Sequence, residues 1–202
     1  MAGSVIEVGG LPIPDDRPVF LAFLGIHVAA GLWCVVTGAL AASAGKRRGR
    51  HPRAGRLYVG GLGALLASLT VLSILRWPAT VHLLVIGLVS AAAATVGLLA
   101  RRQRWPRWLG VHAVGMALSY VGLLTGFLVD NGPLLPVWRE LPHVLHWMLP
   151  TLIGVPLLVR ALARYRHATG FAVDVAVRVV RWAHPRVRGL PTFGSDDHRS
   201  KS

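Results

Sequence analysis

The hydrophobic pattern of the chain consists of five long runs without a charged residue, separated by short polar segments. A helix needs about 20 apolar residues to cross a hydrocarbon core about 30 Å thick. The charge-free runs cover residues 18–45, 57–75, 77–100, 108–129 and 141–159. They predict spanning helices at about 19–43, 57–76, 79–100, 108–129 and 143–164, in a bundle over residues 18–166. The expected fold class is therefore an all-α integral membrane helical bundle with five transmembrane helices.

The fifth run differs from the others because it contains several prolines, Pro142, Pro150 and Pro156. Proline removes a backbone donor and kinks a helix, although membrane helices tolerate it. The sequence therefore predicts a four-helix core plus a Pro-kinked fifth helix.

The basic residues predict the orientation of the bundle. All but three of the 22 Lys and Arg residues fall in the segments 45–56, 101–107 and 160–202. With five spans these segments lie on one side, and Lys and Arg are enriched in cytoplasmic loops. We expect a multi-pass protein of the cell inner (plasma) membrane, with its N-terminus outside and its C-terminus cytoplasmic.

The two ends of the chain are predicted to lie outside the bundle. Residues 1–17 are net acidic and are expected to form a short external tail. Residues 171–188 are expected to form a basic amphipathic helix on the inner membrane surface or a cytoplasmic extension of the fifth helix. Residues 189–202 are polar, which predicts a disordered tail.

The composition supports the membrane assignment. The chain is 53% hydrophobic and only 15% charged, with a mean hydropathy of +0.55, whereas soluble domains are about 25% charged. The net charge of +14 is explained by the basic loops, so we expect the lipid bilayer and no nucleic acid as partner. The single cysteine, Cys34, excludes an intrachain disulfide and a Cys-rich metal site.

Histidines are the main candidates for chemistry, because ionisable residues at membrane depth are costly and usually functional. His27 and His82 are expected near the outer ends of the first and third helices. His51 and His112 are expected near the inner ends of the second and fourth, provided that helix two begins about one turn before its apolar run. Two histidines at one depth can be the axial ligands of a haem iron. Each pair is thus a candidate haem site.

Small and basic residues near these histidines are consistent with haem. Gly31, Gly55 and Gly115 follow a histidine by three or four residues, on the same helix face, and would let a macrocycle approach. Arg53 and Arg56 would pair with haem propionates. The alternatives are tight helix packing for the glycines and orientation of the first hairpin for the arginines.

Other residues offer a second kind of site. His143 and His146 share a face at the start of the fifth helix and are an alternative zinc or copper site, which His82 could join. Tyr58 and Tyr120 are interpreted as interfacial anchors, with a hydrogen bond to a cofactor or quinone as the alternative. The sequence has no motif of hydrolase chemistry, and whether the protein is an enzyme stays open.

Three stretches resemble a widespread family of uncharacterised bacterial multi-pass membrane proteins with a domain of unknown function. They read I-H-V-A-A-G-L-W from Ile26, R-H-P-R-A-G-R-L-Y-V from Arg50 and G-V-H-A-V-G-M-A-L-S-Y-V from Gly110. The match covers roughly residues 20–130 and is specific through the motifs H-x-x-x-G-R-x-Y, which begins at His51, and H-x-x-x-M-x-x-S-Y, which begins at His112. The resemblance implies a bacterial inner-membrane protein and no particular activity.

The alternation of outer and inner histidines along four helices is more loosely similar to the ascorbate-reducible diheme transmembrane cytochromes b. In that family the first histidine pairs with the third and the second with the fourth. The resemblance implies that His27 pairs with His82 and His51 with His112, and that the chain binds two haem b groups.

Three functions follow as competing hypotheses. The first is a bis-His, b-type electron carrier that exchanges electrons with a quinone or a redox protein. The second is a non-redox accessory or scaffold protein. The third is a metal-binding membrane protein that uses His143 and His146.

Overall fold

The computed structural model describes residues 6–8, 11–13, 15–44, 49–136 and 138–163. Two short strands precede five long helices, with a 3-10 turn at Gly132–Leu134 before the last helix. The elements are β1 (Ile6–Val8), β2 (Leu11–Ile13), α1 (Pro18–Ser43), α2 (Arg50–Leu75), α3 (Val81–Arg102), α4 (Trp108–Asn131) and α5 (His143–Ala163). The prediction of five long apolar helices is confirmed. The segments predicted at 171–188 and 189–202 lie outside the described residues.

All five helices are long and apolar enough to cross a membrane. Their outward faces carry large apolar side chains, such as Leu32 and Ile74, which are 63% and 70% exposed. A soluble bundle would place polar residues there, so these faces suit a lipid environment. Within α5, Pro150 and Pro156 lie inside the helix, as the sequence predicts.

The two ends of the bundle are named here after the predicted orientation. The outer end holds the helix termini Pro18, Leu75, Val81, Asn131 and His143. The inner end holds Ser43, Arg50, Arg102, Trp108 and Ala163. Consecutive helices are antiparallel, so α2 and α4 both run from the inner end to the outer end.

The N-terminal segment, predicted only as a tail, contains an antiparallel hairpin in which Ile6 pairs with Ile13 and Val8 with Leu11. It is followed by a local ion pair. The backbone N–H and the side-chain Nε of Arg17 both donate to Asp15 Oδ1, each at 3.0 Å. These bonds from Arg17 lower the pKa of the Asp15 carboxyl, and α1 begins at the next residue.

The helices pack mainly as neighbours in sequence, α1 against α2, α3 against α4 and α5 against α4. The closest approach is between α3 and α4, where a Cβ atom on Gly115 would lie 2.6 Å from the Ala93 carbonyl oxygen and 3.0 Å from Gly97 Cα. Small residues allow such contact between membrane helices. Gly115 therefore has the packing role that the sequence left as an alternative.

The parallel helices α2 and α4 meet through side chains in two layers. The rings of His51 and His112 form one layer, and the Tyr58 hydroxyl contacts the Ser119 hydroxyl at 2.8 Å in the other. Tyr58 lies seven residues after His51 on α2, and Ser119 lies seven residues after His112 on α4. Seven residues are about two turns, so the same faces of α2 and α4 stay opposed from one layer to the next.

Candidate histidine site at the inner end of the bundle

The inner site depends on where α2 begins. Gly49 precedes the helix with a φ of 128°, a backbone conformation that side chains other than glycine rarely adopt. The helix then starts at Arg50, before the apolar run at residue 57, and His51 lies in its first turn. Pro52 fits there because the first N–H groups of a helix have no partner within it. Helix α2 therefore begins before its apolar run, as the predicted position of His51 near the inner end requires.

This start brings His51 of α2 next to His112 of α4. Their ring centroids are 6.4 Å apart, and the ring planes are almost perpendicular, at 88°. Both rings are half-buried at the inner end. Of the two histidine pairs that the sequence predicts, this one is in ring contact.

Backbone carbonyls fix the orientation of both rings. His51 Nδ1 donates to the Ala41 carbonyl oxygen at 2.8 Å, in the last turn of α1. His112 Nδ1 donates to the Gly97 carbonyl oxygen on α3 at 3.0 Å. A carbonyl oxygen only accepts hydrogen bonds, so Nδ1 carries the proton in both rings. All four core helices thus contribute to the site.

This arrangement has the chemistry of a metal-ligating pair. Metal-bound histidines usually donate their second ring N–H to a carbonyl or carboxylate, which fixes the tautomer. In a neutral ring protonated at Nδ1, the lone pair is on Nε2. Nε2 is thus the nitrogen with which each of the two rings would ligate.

The neighbours proposed as haem contacts differ in their surroundings. A Cβ atom on Gly55 would have no atom within 4 Å, whereas one on Gly31 would meet Leu65 at 3.6 Å. Arg53 and Arg56 are exposed on the first two turns of α2. Gly55 thus has open space at its Cβ position, and Arg53 and Arg56, two and five residues after His51, lie away from the helix face of that histidine.

The outer pair is arranged differently. His27 Nδ1 lies 3.2 Å from Ser68 Oγ, and the Ser68 hydroxyl donates to the Leu65 carbonyl, so His27 is the donor to Ser68. His82 is exposed at the start of α3 and makes no ring contact with His27 among the described residues. Both histidines lie within electrostatic range of Asp130.

Tyr58 is a core residue, so its interpretation as an interfacial anchor is wrong, and the half-buried Tyr120 packs against the same core. Tyr58 is 2% exposed and shares its hydroxyl hydrogen bond with Ser119. Tyr120 donates to the Val35 carbonyl of α1 at 3.0 Å. Buried tyrosines usually satisfy their hydroxyl in this way, and here they join helices that are distant in sequence.

The third candidate group lies at the outer start of α5. The rings of His143 and His146 are 5.8 Å apart at an angle of 71°. His143 is exposed, whereas His146 is buried. No group of three or more His, Cys, Asp or Glu side chains within the described ranges is placed to hold a metal ion.

No family model, curated protein or solved structure matches this chain. The resemblances noted from the sequence therefore stay predictions. What the fold itself indicates is a class: a multi-pass helical membrane protein with five candidate spans.

Proposed function

We propose that the protein binds one b-type haem between His51 and His112 and acts as an electron carrier in the plasma membrane. The observation that carries this proposal is the facing pair itself, with ring centroids 6.4 Å apart. Two imidazoles from different helices at this separation would be the residues that hold the haem iron. The apolar bundle would supply the low-polarity surroundings.

The hydrogen bonds of the pair support the same proposal. Ala41 and Gly97 accept the Nδ1 protons of His51 and His112, which places the lone pair of each neutral ring on Nε2. A carbonyl partner also limits rotation of the ring. Both features suit ligands that hold a metal in fixed geometry.

Open space at Gly55 and positive charge on the first two turns of α2 support a macrocycle with acidic groups. Gly55 lies one turn beyond His51 on α2, with open space where a Cβ atom would be. Arg53 and Arg56 are exposed on the same helix, and guanidinium groups bind carboxylates well. The close contact of Gly115 with Gly97 makes the α2 side, not the α3–α4 contact, the side of approach.

The haem would supply reversible one-electron chemistry, and two histidine ligands would leave no coordination position for oxygen. The chain's own residues would hold the ligand pair, whose two rings are half-buried. The basic segments near this end support a cytoplasmic location for the site. A quinone or a redox protein is the expected exchange partner.

The proposal contains one haem because His27 donates to Ser68 and makes no ring contact with the exposed His82 among the described residues. A second candidate function is a non-redox scaffold. It is favoured by the same carbonyl bonds, since His51 and His112 tie α2 to α1 and α4 to α3.

A reduced-minus-oxidised absorption spectrum of the detergent-purified protein, with a pyridine haemochrome assay, separates the two functions. We expect a b-type α-band and about one haem per chain. His51→Ala and His112→Ala should each abolish the band, whereas the exposed His82→Ala should keep it. A colourless protein from haem-replete cells, or a band unchanged in both inner variants, would contradict the haem proposal and favour the scaffold.

A further inference from the structure

His146 on α5 is held in an unusually specific position for a residue outside the proposed haem site. It is 2% exposed, and its ring packs over Gly132, where any Cβ atom would overlap it. Its Nε2 lies 3.1 Å from the Trp138 carbonyl oxygen. The turn between α4 and α5 therefore fixes this ring from two sides.

The other ring nitrogen of His146 has no hydrogen-bond partner within the part of the chain that the structure describes. Because the Trp138 carbonyl only accepts, Nε2 carries the proton and the lone pair of the neutral ring is on Nδ1. Nδ1 is buried without a donor, and a buried acceptor without a donor is unfavourable. A metal-ligating histidine has this arrangement: it donates one ring N–H to a carbonyl, and its other ring nitrogen carries the lone pair that binds the metal.

A second imidazole lies close to this ring. His143 lies three residues earlier, on the same face of α5, with its ring centroid 5.8 Å from that of His146. A linear pair of imidazoles on one metal would give about 6.4 Å, so 5.8 Å fits a moderately bent pair. His143 is exposed and can turn toward an incoming ion.

The number of ligands selects the kind of metal. No third His, Cys, Asp or Glu side chain within the described ranges completes a site, and the nearby Glu140 is paired with Arg139 at 3.0 Å. Zinc sites in proteins use three or four protein ligands, and the burial of His146 Nδ1 leaves little room for water ligands. Imidazole suits copper, and Cu(I) accepts two-coordinate geometry.

We propose that His143 and His146 bind one Cu(I) ion at the outer end of α5. The site shares no residue with the His51–His112 pair and does not depend on haem binding. It requires no redox step, only the displacement of water from the ion by two neutral imidazoles.

The test is an anaerobic titration of the detergent-solubilised full chain with Cu(I), in competition with a chromogenic chelator. The wild type should bind one Cu(I) per chain, and His143→Ala should weaken binding about 10- to 100-fold or more. Because His143 is exposed, this variant should keep its helix content and thermal midpoint. X-ray absorption at the copper edge should give a first shell of two nitrogen atoms.

Two matched controls make the result decisive. His82→Ala removes another exposed histidine at the same end and should leave the Cu(I) affinity unchanged. His51→Ala removes a ligand of the inner pair and should also leave it unchanged, although it should abolish the haem band. Unchanged affinity in His143→Ala, lost affinity in His51→Ala or a four-coordinate copper spectrum would each overturn the proposal.

Discussion

His112 on α4 donates its Nδ1 proton to the carbonyl oxygen of Gly97 on α3, at 3.0 Å. The bond lies beside the closest approach of the two helices, where a Cβ atom on Gly97 would meet the His112 carbonyl oxygen at 3.2 Å. The orientation of the histidine ring thus depends on the absence of side chains at this contact. Packing of α3 on α4 and geometry of the candidate site are therefore linked.

We expect Gly115→Ala to destabilise the bundle and disturb the inner site. The new methyl group would lie 2.6 Å from the Ala93 carbonyl oxygen, and overpacking of this kind costs about 1–3 kcal/mol. Gly63→Ala is the matched control, because a Cβ atom there has no neighbour within 4 Å and alanine is the better helix former. Thermal unfolding in detergent should separate the two variants, and equal midpoints would contradict the close packing of α3 on α4.

Tyr58→Phe should weaken the contact between α2 and α4. It removes a buried hydrogen bond and leaves the Ser119 hydroxyl without its partner, a loss of about 1 kcal/mol in a membrane bundle. The control is Thr95→Val, since the exposed Thr95 hydroxyl bonds only within its own helix. In a double-mutant cycle, Tyr58→Phe and Ser119→Ala should be less than additive, and full additivity would mean that the hydroxyls do not interact.

The outer histidine pair gives a direct count of haem groups. If the inner pair alone binds haem, His27→Ala should leave about one haem per chain, whereas His112→Ala should leave none. The pyridine haemochrome assay measures both. Loss of half the haem in each variant would instead restore the diheme arrangement that the sequence resemblance implies.

The ion pair before α1 should show in the titration of Asp15. Hydrogen bonds from Arg17 lower the pKa of this carboxyl below its usual range. Its contribution to stability is therefore present above the pKa of the unfolded chain and is lost as the pH falls through the folded pKa. Arg17→Gln should raise the Asp15 pKa in a carboxyl NMR titration, and Arg139→Gln, which breaks a different pair, should not.

The sequence predicts the five helices well because the bilayer imposes a simple rule on them. Charge-free runs of sufficient length are rare outside membranes, and the basic loops separate them clearly. The inner pair was also predictable, since His51 and His112 fall at the same depth. Depth alone does not determine contact, and the same argument applied to His27 and His82 yields no ring contact.

Side-chain partners distant in sequence could not be predicted in this way. Ser119 lies 61 residues from Tyr58, and nothing local distinguishes a buried tyrosine from one at the membrane interface. The sequence also does not indicate which backbone carbonyl accepts from each histidine, because every residue has a carbonyl. The position of the His146 ring, which leaves Nδ1 without a hydrogen-bond partner among the described residues, depends on the fold of the turn that holds Trp138.

The two layers that join α2 to α4 make the length of the intervening segment as important as its composition. One extra residue between His51 and Tyr58 would turn the rest of α2 by about 100°, so the two side chains could no longer both face α4. Substitutions at solvent- or lipid-facing positions in this segment should be tolerated, but insertions and deletions should not. The seven-residue spacing keeps His51 and Tyr58 on the one face of α2 that contacts α4.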